Sequence, residues 1–209
     1  MSDNNINMGY LKIILGSMFA GKTTELVKEY KRHESCGFEC LFINHKIDNR
    51  YVDEENKTST HDRVFVNSIN VGDNLFDFFK KQSFLERYDV ILINEGQFFK
   101  DLYKFVDYIV NSLHKKVYVC GLDGDFKRKK IGSILDIIPL CDDVIKLKAI
   151  CNNCKINEGI FTYRLTNEKE QIVVGVKNYS VLCRKCYNDF NNIFSNKPNA
   201  QNIFKKYLN

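Results

Sequence analysis

Short apolar runs alternate with helical patterns along the chain up to residue 149. The apolar runs occupy residues 10–15, 40–44, 90–94 and 117–121. Between them, residues 24–33, 75–85 and 102–113 repeat apolar side chains at the spacing of an amphipathic helix. This alternation predicts an α/β fold built from strand–helix units, with a mostly parallel sheet buried on both faces. A functional site in such a fold lies at the carboxyl ends of the strands.

The pattern changes in two places. Residues 45–63 are rich in His, Asp, Asn, Thr and Ser and show little apolar period, which is typical of a functional loop on the substrate side or at a subunit contact. Beyond residue 150 only short strand-like pieces remain, at residues 159–165 and 171–176. The sequence therefore predicts a main α/β domain at 9–149, a small subdomain at 150–190 and a tail at 191–209.

The charge balance argues against a nucleic-acid surface. The net charge is +5, and the 31 Lys and Arg are spread among 26 Asp and Glu, so a nucleotide's phosphates are a sufficient anionic partner. We therefore expect small-molecule partners rather than nucleic acid. No stretch approaches the ~20 apolar residues of a membrane span. The N-terminus lacks the basic and apolar parts of a secretory signal, so we expect a cytoplasmic protein with no membrane contact.

A phosphate-binding loop is the strongest chemical signal. Gly16 and Gly21-Lys22-Thr23 match the P-loop pattern, and the motif stands between a predicted strand and a predicted helix, as it must. The glycines let backbone N–H groups close around phosphate oxygens, and the start of a helix favours an anion. Lys22 is expected to reach the β and γ phosphates, and the Thr23 hydroxyl to contact Mg²⁺. The alternative is a glycine-rich turn that binds nothing.

Glu95 follows the apolar run 90–94 and is the candidate general base. A carboxylate at that edge of the sheet could accept the proton of an attacking hydroxyl while the γ-phosphate is transferred. The same position also suits a glutamate that activates water in an ATPase. A third interpretation is a solvated glutamate at the start of a helix, where negative charge suits the helix dipole. The periodicity does not choose among the three.

Two CxxC pairs predict a metal site. Cys151 and Cys154 form the first pair, Cys183 and Cys186 the second, and residues 155–182 separate them. Four thiolates match a tetrahedral zinc site with no open position, so the metal would be structural and would tether the segment between the pairs. Four unrelated buried cysteines are the alternative. A redox role is less favoured because neither pair lies in a thioredoxin-like βαβ unit.

Further motifs follow one another in a fixed order. They are Gly16-x-Met18-Phe19-Ala20-Gly21-Lys22-Thr23-Thr24, Asp48-x-Arg50-Tyr51, Thr60-His61-Asp62, Glu95-Gly96-Gln97-Phe98-Phe99 and Leu122-Asp123-Gly124-x-Phe126-x-Arg128-Lys129. Tyr179 stands shortly before the second cysteine pair. In these motifs the chain resembles the type II, cytosolic thymidine kinases from about residue 11 to residue 187. Several of the motifs are not shared by P-loop proteins in general.

The resemblance implies a RecA-like P-loop core, a small zinc-ribbon or lasso subdomain that folds over thymidine, and a homotetramer. It also implies ATP as phosphate donor, Mg²⁺ and a structural Zn²⁺. Glu95 would be the catalytic base, Arg50 would lie near the transferred group, and Asp48 would assist the metal or orient Arg50. The phosphate-side residues would be Gly16, Ser17, Met18, Phe19, Ala20, Gly21, Lys22, Thr23, Thr24, Asp48, Arg50, Asn94 and Gln97. The nucleoside-side residues would be Met18, Leu122, Phe126, Thr162, Val174, Gly175 and Tyr179.

The chain departs from the family pattern at Asn94, where the family usually has aspartate. An amide lacks the negative charge, so we expect Asn94 to hold Mg²⁺ through its waters less strongly without abolishing activity. The spacing inside the lasso also differs slightly, after Cys154 and before Cys183. The backbone contacts between that segment and the nucleobase are therefore less well defined than the role of Glu95.

Two other functions compete with the kinase. A nucleic-acid-associated P-loop ATPase would use Glu95 to hydrolyse ATP and the zinc knuckles to grip a strand. A noncatalytic nucleotide-binding switch would leave Glu95 without a role. The kinase is favoured because a tethered loop that carries Tyr179 follows a core with Phe126, Asp48 and Arg50. This arrangement suits the enclosure of one small acceptor away from water.

Overall fold

A computed structural model describes residues 8–48, 57–59, 65–79 and 82–196 of the 209-residue chain. The strands are β1 Tyr10–Gly16, β2 Cys40–His45, β3 Lys57–Ser59, β4 Phe65–Asn67, β5 Ile69–Val71, β6 Val90–Ile93, β7 Lys116–Leu122, β8 Asp143–Leu147, β9 Ala149–Ile150, β10 Glu158–Gly159, β11 Phe161–Arg164 and β12 Tyr179–Leu182. The α-helices are α1 Lys22–Glu34, α2 Leu75–Phe78, α3 Gln82–Glu86, α4 Leu102–Asp107 and α5 Arg184–Asn196. Short 3-10 helices lie at Gly96–Phe98, Ile134–Leu140 and Val176–Asn178, and α4 continues into a π-helical turn at Tyr108–Ser112.

Six strands form one parallel sheet in the order β5-β2-β6-β7-β1-β8. Every pairing within this sheet is parallel. The strand that leads into the P-loop, β1, is separated by β7 from β6, the strand that leads into Glu95. The expected α/β fold with a parallel sheet is confirmed. Since all six strands run the same way, their carboxyl ends gather the predicted site residues at one edge.

Alternate residues of β1 enter two different hydrophobic layers. Leu11 and Ile13 pack in the layer that includes Phe105 of α4, whereas Ile14 packs with Leu26 and neighbouring residues of α1 on the opposite face. These side chains are fully buried, and each contributes about 1.5–3 kcal/mol of hydrophobic stabilisation. Helices on both faces leave no side of the central strands in water, which is why those strands read as continuous apolar runs.

The structure corrects part of the predicted element pattern. The helix expected at 75–85 is two shorter helices, α2 and α3, whereas the helices expected at 24–33 and 102–113 are present. The strands β5 and β8 were not predicted, because three residues are too few to show a period and β8 is an edge strand with exposed positions. The strand expected at 171–176 is wrong: that segment is irregular and ends in a short 3-10 helix.

The region beyond β8 is a small antiparallel assembly. The strand β9 pairs with β10, and β11 pairs with β12. The helix α5 begins directly after Cys183, includes Cys186 and crosses residue 190, after which the tail was expected to begin. No helix within the described ranges has the length and apolar character needed to cross a membrane. Arg50, Tyr51 and the Thr60-His61-Asp62 motif lie outside the described residues, as do residues 197–209.

Candidate active site

The P-loop winds around the side chain of its own lysine. The Lys22 ammonium group donates a hydrogen bond to the Ser17 carbonyl oxygen over 2.8 Å. Phe19 and Gly21 have positive φ angles of 64° and 80°, and the left-handed conformation at Gly21 is one that glycine adopts without strain. The loop therefore passes from β1 to α1 in a tight turn that brings Lys22 to its centre.

The first turn of α1 is available to bind an anion. Gly21 occupies the N-cap position, and no side chain caps the helix there. The first backbone N–H groups of a helix have no partner within the helix, and the dipole of this 13-residue helix adds positive potential at the same end. Phosphate oxygens are the natural acceptors for such groups.

Glu95 is held in a fixed orientation by Gln97. The Gln97 amide nitrogen donates to a Glu95 carboxylate oxygen over 2.6 Å, and the Gln97 amide oxygen accepts from the Leu122 backbone N–H over 3.0 Å. Glu95 itself has a positive φ of 55°, an uncommon conformation for a residue with a side chain. A Cβ at Gly121 would lie 2.1 Å from the Gln97 amide oxygen, so only glycine leaves room for this arrangement.

One cleft runs along the carboxyl edge of the sheet and contains about 1040 Å³ of empty space, part of it open to solvent. The P-loop residues Lys22 and Thr23 lie along one wall, together with Glu95. Further lining comes from residues after β7 and from the segment between β11 and β12. A nucleotide's phosphates and a second small molecule could therefore meet beside the Glu95 carboxylate.

The two cysteine pairs converge into one cluster. The Sγ atoms of Cys151, Cys154, Cys183 and Cys186 all lie within 4.8 Å of one another. A tetrahedral zinc ion with Zn–S bonds of about 2.3 Å needs sulfur atoms about 3.8 Å apart, so small movements would complete such a site. The donor set fits zinc, and this result excludes the interpretation of four unrelated cysteines.

The surroundings shift the pKa values of two cysteine thiols of the cluster in opposite directions. Backbone N–H groups of Asn157 and Ile156 lower the pKa of the Cys154 thiol to about 6. Burial raises the pKa of the Cys186 thiol to about 12. A divalent cation offsets the cost of burying thiolates, so ion binding and deprotonation would be coupled in this cluster.

Comparison with known proteins gives the family of this chain. A family model described as thymidine kinase matches residues 9–187. The chain belongs to the thymidine kinase family. The thymidine kinase of sheeppox virus is 37% identical over 183 residues, which cover 87% of this chain and 98% of that protein. The cytosolic thymidine kinase of Bos taurus is 39% identical over 183 residues, which cover 86% of this chain and 72% of that protein.

One further relative and one solved structure were also compared with this chain. The thymidine kinase of variola virus is 38% identical over 185 residues, which cover 88% of this chain and 99% of that protein. Among solved structures, domain III of the Thermotoga maritima replication initiation protein DnaA has a TM-score of 0.38 and 16% identity, with 68% of this chain and 56% of that chain covered. That TM-score is too low to establish a common fold. Membership of the thymidine kinase family makes this protein a phosphotransferase, and the nucleic-acid-associated ATPase is not favoured.

In this thymidine kinase family member, most of the expected site residues line the cleft. On the nucleoside side, these are Met18, Leu122, Phe126, Thr162, Val174, Gly175 and Tyr179. On the phosphate side, they are Met18, Phe19, Gly21, Lys22, Thr23, Thr24 and Asp48, with Glu95 between the two groups. The expected residues Gly16, Ser17, Ala20, Asn94 and Gln97 do not line the cleft. Arg50 is outside the described residues.

The sequence analysis missed Asp125, which lines the cleft and is buried. One of its carboxylate oxygens accepts from the backbone N–H groups of Lys127 and Lys129, and the other accepts from the Gln171 side chain over 2.9 Å. Asp125 thereby shapes the turn that carries Phe126 and ties it to Gln171 across the cleft. Its place inside the Leu122–Lys129 motif was the signal that could have identified it.

Arg164 was also missed, and it organises the lasso, residues 165–178. Its guanidinium group donates to the carbonyl oxygens of Glu168, Glu170 and Gln171, and to the Tyr179 hydroxyl over 2.6 Å. The same group lies 3.9 Å from the centre of the Phe126 ring and covers one of its faces. Arg164 is 5% exposed, so its guanidinium group is buried. It donates the hydrogen bonds that these lasso carbonyl oxygens would accept from a neighbouring strand in a sheet.

Two hydrogen bonds join the P-loop to the cysteine subdomain. The Ser17 hydroxyl donates to the Gly159 carbonyl oxygen over 3.2 Å, and the Met18 backbone N–H donates to the Thr162 hydroxyl over 3.0 Å. Both contacts span more than 140 residues of sequence. The P-loop and the cysteine subdomain are therefore in direct contact through β10 and β11.

Proposed function

We propose that this protein transfers the γ-phosphate of ATP to the 5′-hydroxyl of thymidine and produces thymidine monophosphate. The observation that carries the proposal is the single cleft in which Lys22 and Thr23, the Glu95 carboxylate and the lasso face one another. The family membership of the chain and the names of its relatives support thymidine as the acceptor.

On the phosphate side, Lys22 neutralises charge on the β and γ phosphates, and the N–H groups at the start of α1 bind their oxygens. The Thr23 hydroxyl, the Asp48 carboxylate and the Asn94 amide oxygen are a set of oxygen donors of the kind that Mg²⁺ accepts. Mg²⁺ supplies neutralisation of the developing phosphate charge when it is bound. Asp48 carries the negative charge among these three donors.

Glu95 acts as the general base. Gln97 donates to one carboxylate oxygen over 2.6 Å and so orients the carboxylate, which accepts the proton of the 5′-hydroxyl as the phosphoryl group is transferred. The larger part of the rate enhancement comes from positioning and charge neutralisation, because phosphoryl transfer has little covalent demand on the protein.

On the nucleoside side, Phe126 offers its aromatic ring, and Met18 and Leu122 offer apolar surface. An aromatic face stacks on a pyrimidine, and small apolar contacts favour a 5-methyl group. Val174 and Gly175 contribute backbone groups from the lasso. Thr162 ties β11 to the P-loop through the Met18 N–H, and the Tyr179 hydroxyl holds the lasso backbone at Val173.

We further infer that the cysteine cluster holds a structural Zn²⁺ and that residues 150–190 form a subdomain distinct from the 9–149 core. The four closely spaced sulfur atoms support the first inference. A cytoplasmic homotetramer is the expected assembly, in agreement with the name of the Bos taurus relative as far as location is concerned. Light scattering on a chain of 24.5 kDa measures the subunit number directly.

The decisive experiment is ATP turnover by the purified protein with Mg²⁺, in parallel reactions without an acceptor, with each common nucleoside and with single-stranded DNA. We expect thymidine-dependent formation of thymidine monophosphate. Hydrolysis of ATP that DNA stimulates, with no phosphorylated nucleoside, would instead establish the ATPase.

A further inference from the structure

Three asparagine side chains form a hydrogen-bonded row behind the phosphate site. Asn70 lies on β5, Asn44 on β2 and Asn94 directly after β6, so the row crosses three adjacent strands of the sheet. The Asn44 amide nitrogen donates to the Asn70 amide oxygen over 3.3 Å, and the Asn94 amide nitrogen donates to the Asn44 amide oxygen over 2.8 Å. We call Asn70, Asn44 and Asn94 the asparagine ladder.

The inner end of the ladder meets the groups expected to face Mg²⁺. The Asn94 amide oxygen accepts from the Thr23 hydroxyl over 3.3 Å and from the Cys120 thiol over 3.0 Å. Its amide nitrogen lies 3.5 Å from an Asp48 carboxylate oxygen, long for a hydrogen bond but within reach of charge–dipole attraction. Asn94 is fully buried and Asn44 is 4% exposed, so both amides depend on these partners rather than on water.

The orientation of the Asn94 amide is decided by Asn44. Because Asn44 presents its oxygen, Asn94 must direct its nitrogen toward Asn44 and Asp48 and its oxygen toward Thr23. The reverse orientation would place the Asn94 oxygen against the Asn44 oxygen and the Asp48 carboxylate, which only accept hydrogen bonds. A buried polar group without a partner costs about 1–3 kcal/mol, so the reverse orientation is strongly disfavoured.

An aspartate at position 94 would not fit this arrangement. A carboxylate only accepts hydrogen bonds, so its second oxygen would face the Asn44 oxygen at 2.8 Å and the Asp48 carboxylate at 3.5 Å. The neutral residue that departs from the family pattern therefore matches its surroundings in this chain. Asp48 carries the negative charge at the site, and Asn94 supplies a hydrogen-bond donor to it.

We propose that the asparagine ladder is a positioning device for the metal-facing groups of this enzyme: it fixes Asn94 so that the amide nitrogen holds the Asp48 carboxylate and the amide oxygen holds the Thr23 hydroxyl. The proposal rests on the proposed function, since it assigns Mg²⁺ to these groups. Asn44 and Asn70 act only through Asn94 and touch neither the nucleotide nor the ion.

The first test measures Mn²⁺ affinity in the presence of ADP, with free Mn²⁺ counted by its electron paramagnetic resonance signal. Asn44→Leu removes the acceptor that orients Asn94, and we expect about tenfold weaker Mn²⁺ binding, the usual scale for groups that orient metal-facing residues. Asn70→Leu, one step further out, is expected to have a smaller effect. A melting curve for each variant reports its folding separately.

Asn74→Leu is the matched control. Asn74 also donates to a carboxylate, that of Asp77 over 3.2 Å, but it lies on the surface away from the cleft. We expect its Mn²⁺ affinity to equal that of the unmodified protein. If a folded Asn44→Leu variant binds Mn²⁺ as tightly as Asn74→Leu does, the ladder has no positioning role.

A second test exchanges the charged and the neutral residue at positions 48 and 94. It does not require the Asn44→Leu variant to fold. Asp48→Asn removes the carboxylate and is expected to weaken Mn²⁺ binding at least about tenfold. The double variant Asp48→Asn/Asn94→Asp exchanges the amide and the carboxylate but places the new carboxylate against the Asn44 amide oxygen, so we expect it to regain little of that loss. A double variant that binds Mn²⁺ as tightly as the unmodified protein would overturn the proposal.

These measurements do not require turnover of thymidine. If the ladder variants shift Mn²⁺ affinity as expected but the protein phosphorylates no nucleoside, the proposed function is wrong and the positioning role of the ladder is retained. If thymidine is phosphorylated but Mn²⁺ affinity is insensitive to Asn44 and to the charge exchange, the ladder fails and the function remains.

Discussion

The phosphate side of the cleft and the lasso that faces it are built by different means. The phosphate side lies on a six-stranded parallel sheet with helices on both faces, and its special backbone angles occur at Phe19, Gly21 and Glu95. The lasso has no strand between Arg164 and Tyr179. Its backbone is held by side chains, above all by the buried guanidinium group of Arg164.

This difference indicates how each region responds to change. The phosphate side is supported by a large hydrophobic core, so one altered polar side chain should change its chemistry and leave its shape intact. The lasso depends on a few polar contacts and on the cysteine cluster at its base, so one altered residue should change its shape and therefore the binding of the nucleoside. Mutations in the two regions should consequently separate kcat from KM.

The largest effect is expected from Glu95→Gln, which removes the base but keeps a side chain of the same size. We expect kcat to fall by about 10²–10⁴, while ATP binding is retained, because proton transfer by a positioned base contributes on that scale. Steady-state kinetics and nucleotide titration measure the two quantities. Glu86→Gln, at an exposed position of α3, is the control. An unchanged kcat in Glu95→Gln would exclude Glu95 as the base.

Cys183→Ser tests the cysteine cluster. We expect the variant to lose its zinc and kcat/KM for thymidine to fall by about 10–100-fold, because the lasso loses its tether. Elemental analysis measures zinc, and titration with ATP checks that the phosphate side is intact. Cys36→Ser, at an exposed cysteine outside the cluster, should behave like the unmodified protein. Full zinc content together with full activity in Cys183→Ser would contradict the tether.

Arg164→Lys sharpens the comparison within the lasso. Lysine keeps the charge but lacks the planar fork that reaches several carbonyl oxygens at once, so we expect KM for thymidine to rise about tenfold with a smaller change in kcat. Arg87→Lys, at an exposed position, controls for the substitution itself. A fall in kcat with an unchanged KM would show that Arg164 serves the reaction rather than the lasso.

The smallest effect concerns His45, which is buried at the end of β2 beside Phe99. Burial lowers the pKa of its imidazole below the usual 6.5, although the carboxylates of Asp73, Glu95 and Asp48 oppose that shift. The unfolded chain therefore takes up a proton more readily, so this stability is present above pH 6.5 and is lost as the pH falls through the lowered pKa. We expect His45→Phe to melt with a weaker pH dependence between about pH 7.5 and 5.5 than the unmodified protein. An unchanged pH dependence would exclude His45 as its source.

Some parts of the site were predictable because they are contiguous in sequence. The P-loop and each CxxC pair occupy neighbouring positions, and the run before Glu95 is apolar because β6 is buried on both faces. The lasso was harder to predict, since its residues 171–176 are rich in β-branched side chains, as a strand would be. They stay irregular because Arg164 and Tyr179 satisfy the backbone groups that a partner strand would otherwise take.

The sequence by itself determined the α/β class, the phosphate loop, the cysteine cluster and the family, because each depends on local spacing or on motif order. The tertiary structure alone decided which distant side chains meet. Asn94 pairs with Asn44 across 50 residues, Gln171 with Asp125 across 46, and Ser17 with Gly159 across 142. Such pairs leave no periodic signal, because strand order and chain crossings, not neighbouring residues, bring them together.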